Sequence, residues 1–183
     1  MLSYAGSLLV ATPRLIDPNF SRSVILMLDH DEDGALGVVI NSPTELPLSA
    51  VLPGWGDAVV SPPLLFTGGP VSEESALAIG LAAGTGPDQS FKRLTGDFGL
   101  VDLDAEPYEV LDGLVGVRVF SGYAGWEPGQ LEAEIAEGSW YLVEALSTDV
   151  LDPRPDELWR TVLRRQPNEM AYLATFPEDP SLN

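Results

Sequence analysis

Short runs of valine, isoleucine, leucine and phenylalanine recur along this chain, each closed by glycine, proline, asparagine or aspartate. That punctuation constrains the fold more than any other feature, because it marks strands too short to be anything but parts of a sheet. The runs lie at Ser7 to Ala11, Ser23 to Asp29, Leu36 to Ile40, Leu64 to Thr67, Ala76 to Leu81, Phe98 to Leu103, Gly116 to Ser121 and Trp140 to Glu144. Their continuous apolar character, as in VILML and GVVI, implies burial on both faces rather than a sheet wetted on one side.

Helix signals are fewer. Pro128-Gly129-Gln130 opens a segment in which Leu131 and Ile135 share a face and Gly138 offers a stop, with Pro128 presetting φ for the first turn. A second helix is expected from Pro155 to near Gln166, burying Leu158, Trp159 and Val162. Its acids Asp156 and Glu157 lead and Arg164 and Arg165 trail, as the helix dipole prefers. Short helical turns are expected at Pro47 to Leu52 and Asn168 to Ala174, and loops at Asn41 to Leu46, Pro53 to Asp57, Gly84 to Ser90 and Ala105 to Tyr108. Strands and helices do not alternate strictly, so the expected class is α+β: one compact domain over 1–183, with mixed, largely antiparallel sheets flanked by a few helices. A chain of 183 residues buries about 70% of the surface its unfolded form exposes, enough for one sizeable core. Residues 177–183 are expected to be a loosely ordered tail.

Charge and composition exclude several chemistries. The 28 acidic residues against 9 basic ones give a net charge of −19, which repels phosphate backbones. The basic clusters, Lys92-Arg93 and Arg160, Arg164 and Arg165, make no stripe for duplex DNA, so direct nucleic-acid binding is disfavoured. The absence of cysteine removes disulfides, thiolate metal sites, iron–sulfur clusters and cysteine nucleophiles together. The apolar run in MLSYAGSLLVATP has no basic flank and ends at a proline, too short to span a bilayer, and no later segment is long and apolar enough to span one either. A soluble, cytoplasmic protein without membrane contact is expected.

Four stretches could carry chemistry. Asp29-His30-Asp31-Glu32-Asp33-Gly34 opens like a calcium loop, but the twelfth position, where a bidentate Glu is needed, is Ile40. A hairpin with an acidic, solvated loop accounts for it better. His30 is the single histidine, so any histidine-based base or metal site must use it, and a turn flanked by acids suggests a solvated surface residue. No G-x-S-x-G, Walker lysine or G-x-G-x-x-G fingerprint occurs. In TGGPVSEES, Gly68 and Gly69 form either a backbone nest for an anion or a tight exit turn, and the turn is favoured.

In PRLIDPNFSRS, Asp17 can cap a turn through its carboxylate and Phe20 can plug into the core. Arg14 beside it either pairs with Asp17 or directs its guanidinium into a pocket. Ser121 to Leu131, SGYAGWEPGQL, sets two aromatics among three glycines and a proline, a rigid corner that serves packing or binding.

Taken together, GSLLVATPRLIDPNFSRSVILMLDHDEDGALGVVINSP, FTGGPVS, FSGYAGWEPGQLEAEIAEGSWYLVEA and DELWRTVLRR resemble the YqgE/AlgH family of bacterial proteins over nearly the whole chain. The resemblance implies an α+β domain with mixed sheets, no established cofactor and a largely unassigned activity, with a label of transcriptional regulation that is an association rather than a mechanism. It places the D-P-x-F turn at Asp17, Pro18 and Phe20, the R-S pair at Arg22 and Ser23, the histidine at His30, the G-G-P corner at Gly68 to Pro70, and the Y-A-G-W-x-P-G-Q-L-E corner at Tyr123 to Glu132. Two departures stand out. Glu127 occupies a position where a glycine is common, and Ala78-Ile79-Gly80 falls where a histidine is often found. The first weakens an anion site at that corner, and the second removes a potential base.

The leading expectation is a non-catalytic binding or regulatory module, linked at most indirectly to transcription, with an unknown protein partner or small ligand and no cofactor. Its candidate ligand or contact surface comprises Arg14, Asp17, Gly68, Gly69, Tyr123, Trp126 and Gln130. Aromatics on stiff backbone lose little entropy on binding, which makes Tyr123 and Trp126 interface candidates. The alternative is an enzyme or ligand-binding protein acting on a small anionic metabolite, using Arg14, the Gly68-Gly69 turn and Asp17 or Glu127 converged in one cleft.

Overall fold

The computed structural model describes residues 2–87 and 89–178 of the chain, so of the expected tail all but Pro177 and Glu178 lies outside the described residues. The first strands are β1 (Ser7–Ala11), β2 (Val24–Asp31), β3 (Gly34–Val39) and β4 (Pro43–Pro47), followed by helix α1 (Leu48–Val51). Then come β5 (Leu64–Thr67), β6 (Val71–Ala82), β7 (Phe91–Thr95), β8 (Phe98–Val101), helix α2 (Pro107–Leu111) and β9 (Leu114–Trp126). Helix α3 (Gln130–Ala136), strand β10 (Trp140–Glu144), a 3-10 turn at Pro155–Glu157, and helices α4 (Leu158–Arg164) and α5 (Met170–Leu173) complete the order.

The strands form one sheet in the order β10-β1-β2-β3-β9-β6-β8-β7, with β4 on β5 and β5 on β9. Sheet dominates and the helices are short. Pairing is antiparallel except between β5 and β9, where Phe66 faces Phe120 in a parallel register, so the sheet is mixed. The 13-residue β9 ties the whole together: Ala124 and Trp126 pair with β3, while its earlier residues pair with β5 and β6.

Burial on both faces follows from the continuous apolar runs. In β1, Leu8 and Val10 enter one cluster and Leu9 and Ala11 another; in β2, Val24, Leu26 and Leu28 alternate with Ile25 and Met27 in the same way. A third cluster, with Val117, Val119 and Trp55, lies under the β6–β9 half. Arg118, on β9, is nearly fully buried, its guanidinium donating to the carbonyls of Ser61, Val150 and Asp152 and lying 4.4 Å from the Phe66 ring centroid. Burial lowers its pKa to about 10, against the partial relief of nearby Asp152.

Three elements depart from the sequence reading. The expected loop at Asn41 to Leu46 is largely β4, bounded by Pro43 and Pro47 and hydrogen-bonded as a strand to β5 alone; prolines are tolerated because the strand is an edge. β7, FKRLT, pairs only with β8 and exposes Lys92 and Arg93 between half-buried Phe91 and Leu94, so it lacks the apolar run that would announce it. Part of the expected loop at Ala105 to Tyr108 is the start of α2, with Pro107 in its first turn.

The corner at Ser121 to Leu131 is also rearranged. β9 continues through Trp126, so half of the corner is strand. Pro128 is not the first helical residue: Gly129, at φ 78° and ψ −10°, precedes α3, and the Gln130 N–H bonds the Glu127 carbonyl at 3.0 Å. Proline followed by a left-handed glycine is the signature of a type II turn, which explains why the helix waits one residue longer.

Candidate functional site

The turn carrying DPNFSRS is built from local hydrogen bonds. Asp17 caps it: its carboxylate accepts the Asn19 N–H at 2.8 Å and its carbonyl those of Phe20 and Ser21. Phe20 packs inward, edge-on to Trp140 with centroids 5.8 Å apart. The chain then re-enters β2 through Arg22, whose φ of 57° is a left-handed conformation that arginine rarely adopts. Asn41 braces it from the end of β3, donating from Nδ2 to the Arg22 carbonyl at 3.0 Å and accepting the Val24 N–H at 2.9 Å.

This held backbone puts the Arg22 guanidinium 4.4 Å from the centroid of the Trp159 ring. Trp159 is buried on α4, its indole N–H fixed to the Ala11 carbonyl at 2.9 Å. Arg160, the next residue, brings a second guanidinium to 5.9 Å from the same ring. Both arginines bond the Phe176 carbonyl, and Arg160 also bonds the carbonyl of Ala174. Desolvation first, and the Arg160 charge second, pull the Arg22 pKa below the ordinary arginine range, with Glu178 acting the other way. The pair borders a groove of about 500 Å3 with Asn19, Ser21, Asn41 and Asp156 on its walls.

The sequence candidates divide around this groove. Asp17 shapes the turn that supplies Pro18 and Asn19, and Gly69 borders a small extension shared with Asn19 and Ser42. Arg14 is exposed and lies against Gly138 instead, with no ion pair to Asp17 among the described residues. Gly68 and Gly69 cross β9 backbone to backbone: a Cβ on Gly68 would lie 2.4 Å from the Gly122 carbonyl oxygen, and one on Gly69 2.2 Å from that of Tyr123. The Gly68 N–H is already given to the Ser121 carbonyl at 2.8 Å, so the exit-turn reading holds there and the nest does not form.

Trp126, expected as a contact aromatic, is only 8% exposed. Its indole N–H and that of Trp140 both donate to Glu134 Oε2, at 2.8 and 3.0 Å, so it is a packing element of the β1–β2–α3 core. Tyr123 is half-buried, and Gln130 is occupied locally, accepting the Glu127 N–H and donating to Glu134. Arg14, the Gly68-Gly69 turn and Glu127 do not converge in the groove, and the cationic pair is made instead by Arg22 and Arg160, which the sequence reading left in a polar connection and in the basic cluster of a helix.

His30 corrects another expectation. It lies in β2 between outward Asp29 and Asp31, and strand alternation turns its ring inward, 1% exposed. The Tyr4 N–H donates to Nδ1 at 3.0 Å, which places the ring proton on Nε2, 2.5 Å from Glu132 Oε1. Tyr4 stacks on the ring with centroids 4.4 Å apart. The acidic stretch after it forms a tight hairpin with Asp31 opposite Gly34, and no cluster of three potential metal ligands occurs among the described residues.

A model of AlgH-like proteins matches residues 8–171 of this chain. A UPF0301 protein of Streptomyces avermitilis is 53% identical to it over 185 residues, covering 99% of this chain and 96% of that one. The chain belongs to the YqgE/AlgH family. A UPF0301 protein of Thermobifida fusca is 47% identical, covering 100% and 96%. The crystal structure of a Corynebacterium diphtheriae protein superposes with a TM-score of 0.88 at 36% identity, over 94% of this chain and 92% of that one. The solution structure of the AlgH protein from Pseudomonas aeruginosa gives 0.71 at 28%, over 96% and 95%. Read on the YqgE/AlgH motifs, Pro18 of D-P-x-F and the R-S pair line the groove and Gly69 and Pro70 its small extension, whereas Phe20 and, from the Y-A-G-W corner, Ala124 and Trp126 serve the core. No helix among the described residues is long and apolar enough to cross a membrane.

Proposed function

We propose that this chain is a ligand-binding module of regulatory rather than catalytic type, which takes a small anion between Arg22 and Arg160. One observation carries the reading: two guanidiniums converge on a single indole beside an open groove, in a chain of net charge −19. Like charges held together on a strained backbone are costly to maintain, and an anion is the partner that offsets the cost. The global negative charge does not cancel this. At about 0.15 M salt the Debye length is about 8 Å, so most of the chain's carboxylates are screened from the pair, and those on the groove itself are Asp156 and Glu178.

His30 supports the non-catalytic half of the reading, since both ring nitrogens are engaged and the ring is closed to solvent. A link to gene expression, where it exists, runs through this ligand or a protein partner rather than through DNA, in keeping with the excess of acidic residues. Titration of the 15N-labelled protein with inorganic phosphate and with methyl phosphate tests the site. Amide shifts confined to Ser21 to Val24, Asn41 and the Trp159 indole, and lost in Arg22→Gln, are expected. No shifts there, or shifts that persist in the variant, would refute the assignment.

A further inference from the structure

The groove does not end at the arginines. Ser21, Arg22, Trp159 and Glu178 also line a second arm of about 270 Å3, whose other walls are Thr12 and the apolar Pro13, Leu15, Ile16, Phe176 and Pro177. The two arms differ in chemistry. Asparagine, serine and aspartate line the first, and hydrocarbon and aromatic surface the second. Ile16 is 84% exposed and Phe176 44%, so this arm holds apolar area that the fold itself does not cover. Phe176 joins the two halves, since its carbonyl accepts from both guanidiniums and the residue is also part of the lining of the second arm.

Resting on the anion reading above, we propose that the ligand is a small amphipathic anion. Its phosphate or carboxylate head lies at Arg22 and Arg160, and its short hydrocarbon or aromatic tail lies against Leu15, Ile16 and Phe176. The first arm, of about 500 Å3, is of the size at which small-molecule sites occur, about 300 to 1,000 Å3, and the second, of about 270 Å3, has room for a short tail only. A head alone leaves the exposed apolar wall in water, and a tail alone leaves the two guanidiniums with only the wall carboxylates Asp156 and Glu178 as counter-charge. A ligand with both satisfies the two arms together. Each methylene that enters the arm strengthens binding about fourfold, the equivalent of about 0.8 kcal/mol per buried CH2.

The test is an affinity series with methyl, butyl and octyl phosphate below their aggregation limits, run beside acetate, butyrate and octanoate, on the full chain by calorimetry and amide shifts. Affinity is expected to climb with chain length, and the climb to flatten in Ile16→Ser while methyl phosphate binding stays unchanged; Phe176→Ser is expected to flatten it as well. Arg22→Gln is expected to weaken every member of the series. Ile16 is so exposed that its replacement leaves folding intact, which keeps the test valid where the Phe176 variant is unstable. Comparison of the two series assigns the head as phosphate or carboxylate, either outcome being within the proposal. Binding that is independent of tail length overturns the amphipathic ligand and leaves the anion site standing. Failure of every member to bind overturns both, and a chain-length dependence that survives in the Ile16 and Phe176 variants places the tail elsewhere and refutes this arm. Binding seen only with anionic lipid vesicles likewise overturns the soluble ligand.

Discussion

Arg22 and Arg160 donate to one acceptor, the carbonyl oxygen of Phe176, at 2.8 and 3.1 Å. Arg22 reaches it from a left-handed φ of 57°, a conformation that costs a non-glycine residue about 1 to 3 kcal/mol. Glycine at this position relieves that strain but removes the guanidinium, so gain and loss offset. Arg22→Gly is expected to unfold within about 1 kcal/mol of the parent chain while losing the response to phosphate. Arg22→Lys keeps the strain and loses the planar fork, so it is expected to be the less stable of the two in urea denaturation. A lysine variant more stable than the glycine variant would mean that the backbone at position 22 is not strained.

Glu134 carries a different burden. Its Oε2 takes the indole N–H groups of both Trp126 and Trp140, whose rings meet edge-on with centroids 6.3 Å apart. Alanine there leaves two donors without a protein partner, at an expected cost of about 2 kcal/mol. Glutamine retains an oxygen with two lone pairs and is expected to lose about half as much or less. Urea midpoints check the stabilities, and tryptophan emission is expected to shift in Glu134→Ala as the indoles change partners. Equal stability of the two variants would show that charge, not the acceptor geometry, is what Glu134 supplies.

The sheet was legible in the sequence where strands carry an apolar run, since β1, β5 and even the edge strand β10 fall on the expected residues. The edge strands β4 and β7 escaped, because β4 is bounded by prolines and β7 displays lysine and arginine, so neither has an apolar run to read. His30 had a readable signal in its alternation with Asp29 and Asp31, but the acids suggested a solvated turn and outweighed it. The groove was harder. Arg22 and Arg160 lie far apart in the chain and meet only because α4 docks Trp159 under β1, a tertiary fact that no spacing rule contains. The aromatic corner misled in the opposite direction, since glycines that let backbones cross look the same in sequence as glycines that shape a binding loop.

Glu132 gives the chain an acid-sensitive contact. The hydrogen bond from His30, followed by a backbone hydrogen bond, holds its carboxyl below the ordinary carboxylate range. A carboxyl whose folded pKa is depressed contributes stability above its unfolded pKa, about 4.3, and loses it as pH falls through the lower folded value. Glu132→Gln keeps an acceptor for His30 Nε2 but has nothing to titrate. The stability difference between parent and variant is therefore expected to stay constant above about pH 5 and to shrink as the pH falls below about 4. Urea denaturation of both chains across that range measures it. A difference that grows on acidification would reverse the sign and place the stabilised proton on the carboxyl.

Gly69 and Gly54 separate two reasons for a glycine. Both have positive φ, 153° and 93°, and an added Cβ is disfavoured at each by backbone conformation alone. At Gly54 nothing lies within 4 Å of that Cβ, whereas at Gly69 it would meet the carbonyl carbon and oxygen of Tyr123 at 2.2 Å and the Ala124 N at 2.5 Å. Gly54→Ala is therefore expected to cost about 1 kcal/mol, the conformational penalty by itself. Gly69→Ala must in addition push the β5–β6 connection off β9, and because interiors are close-packed the shift is not absorbed locally. The expected loss exceeds that of Gly54→Ala by at least about 2 kcal/mol, and amide shifts are expected to spread along β9 from Ser121 to Ala124. Equal losses for the two variants would mean that the crossing of these backbones is loose enough to admit a methyl group. The G-G-P motif would then owe its glycines to conformation and not to close approach.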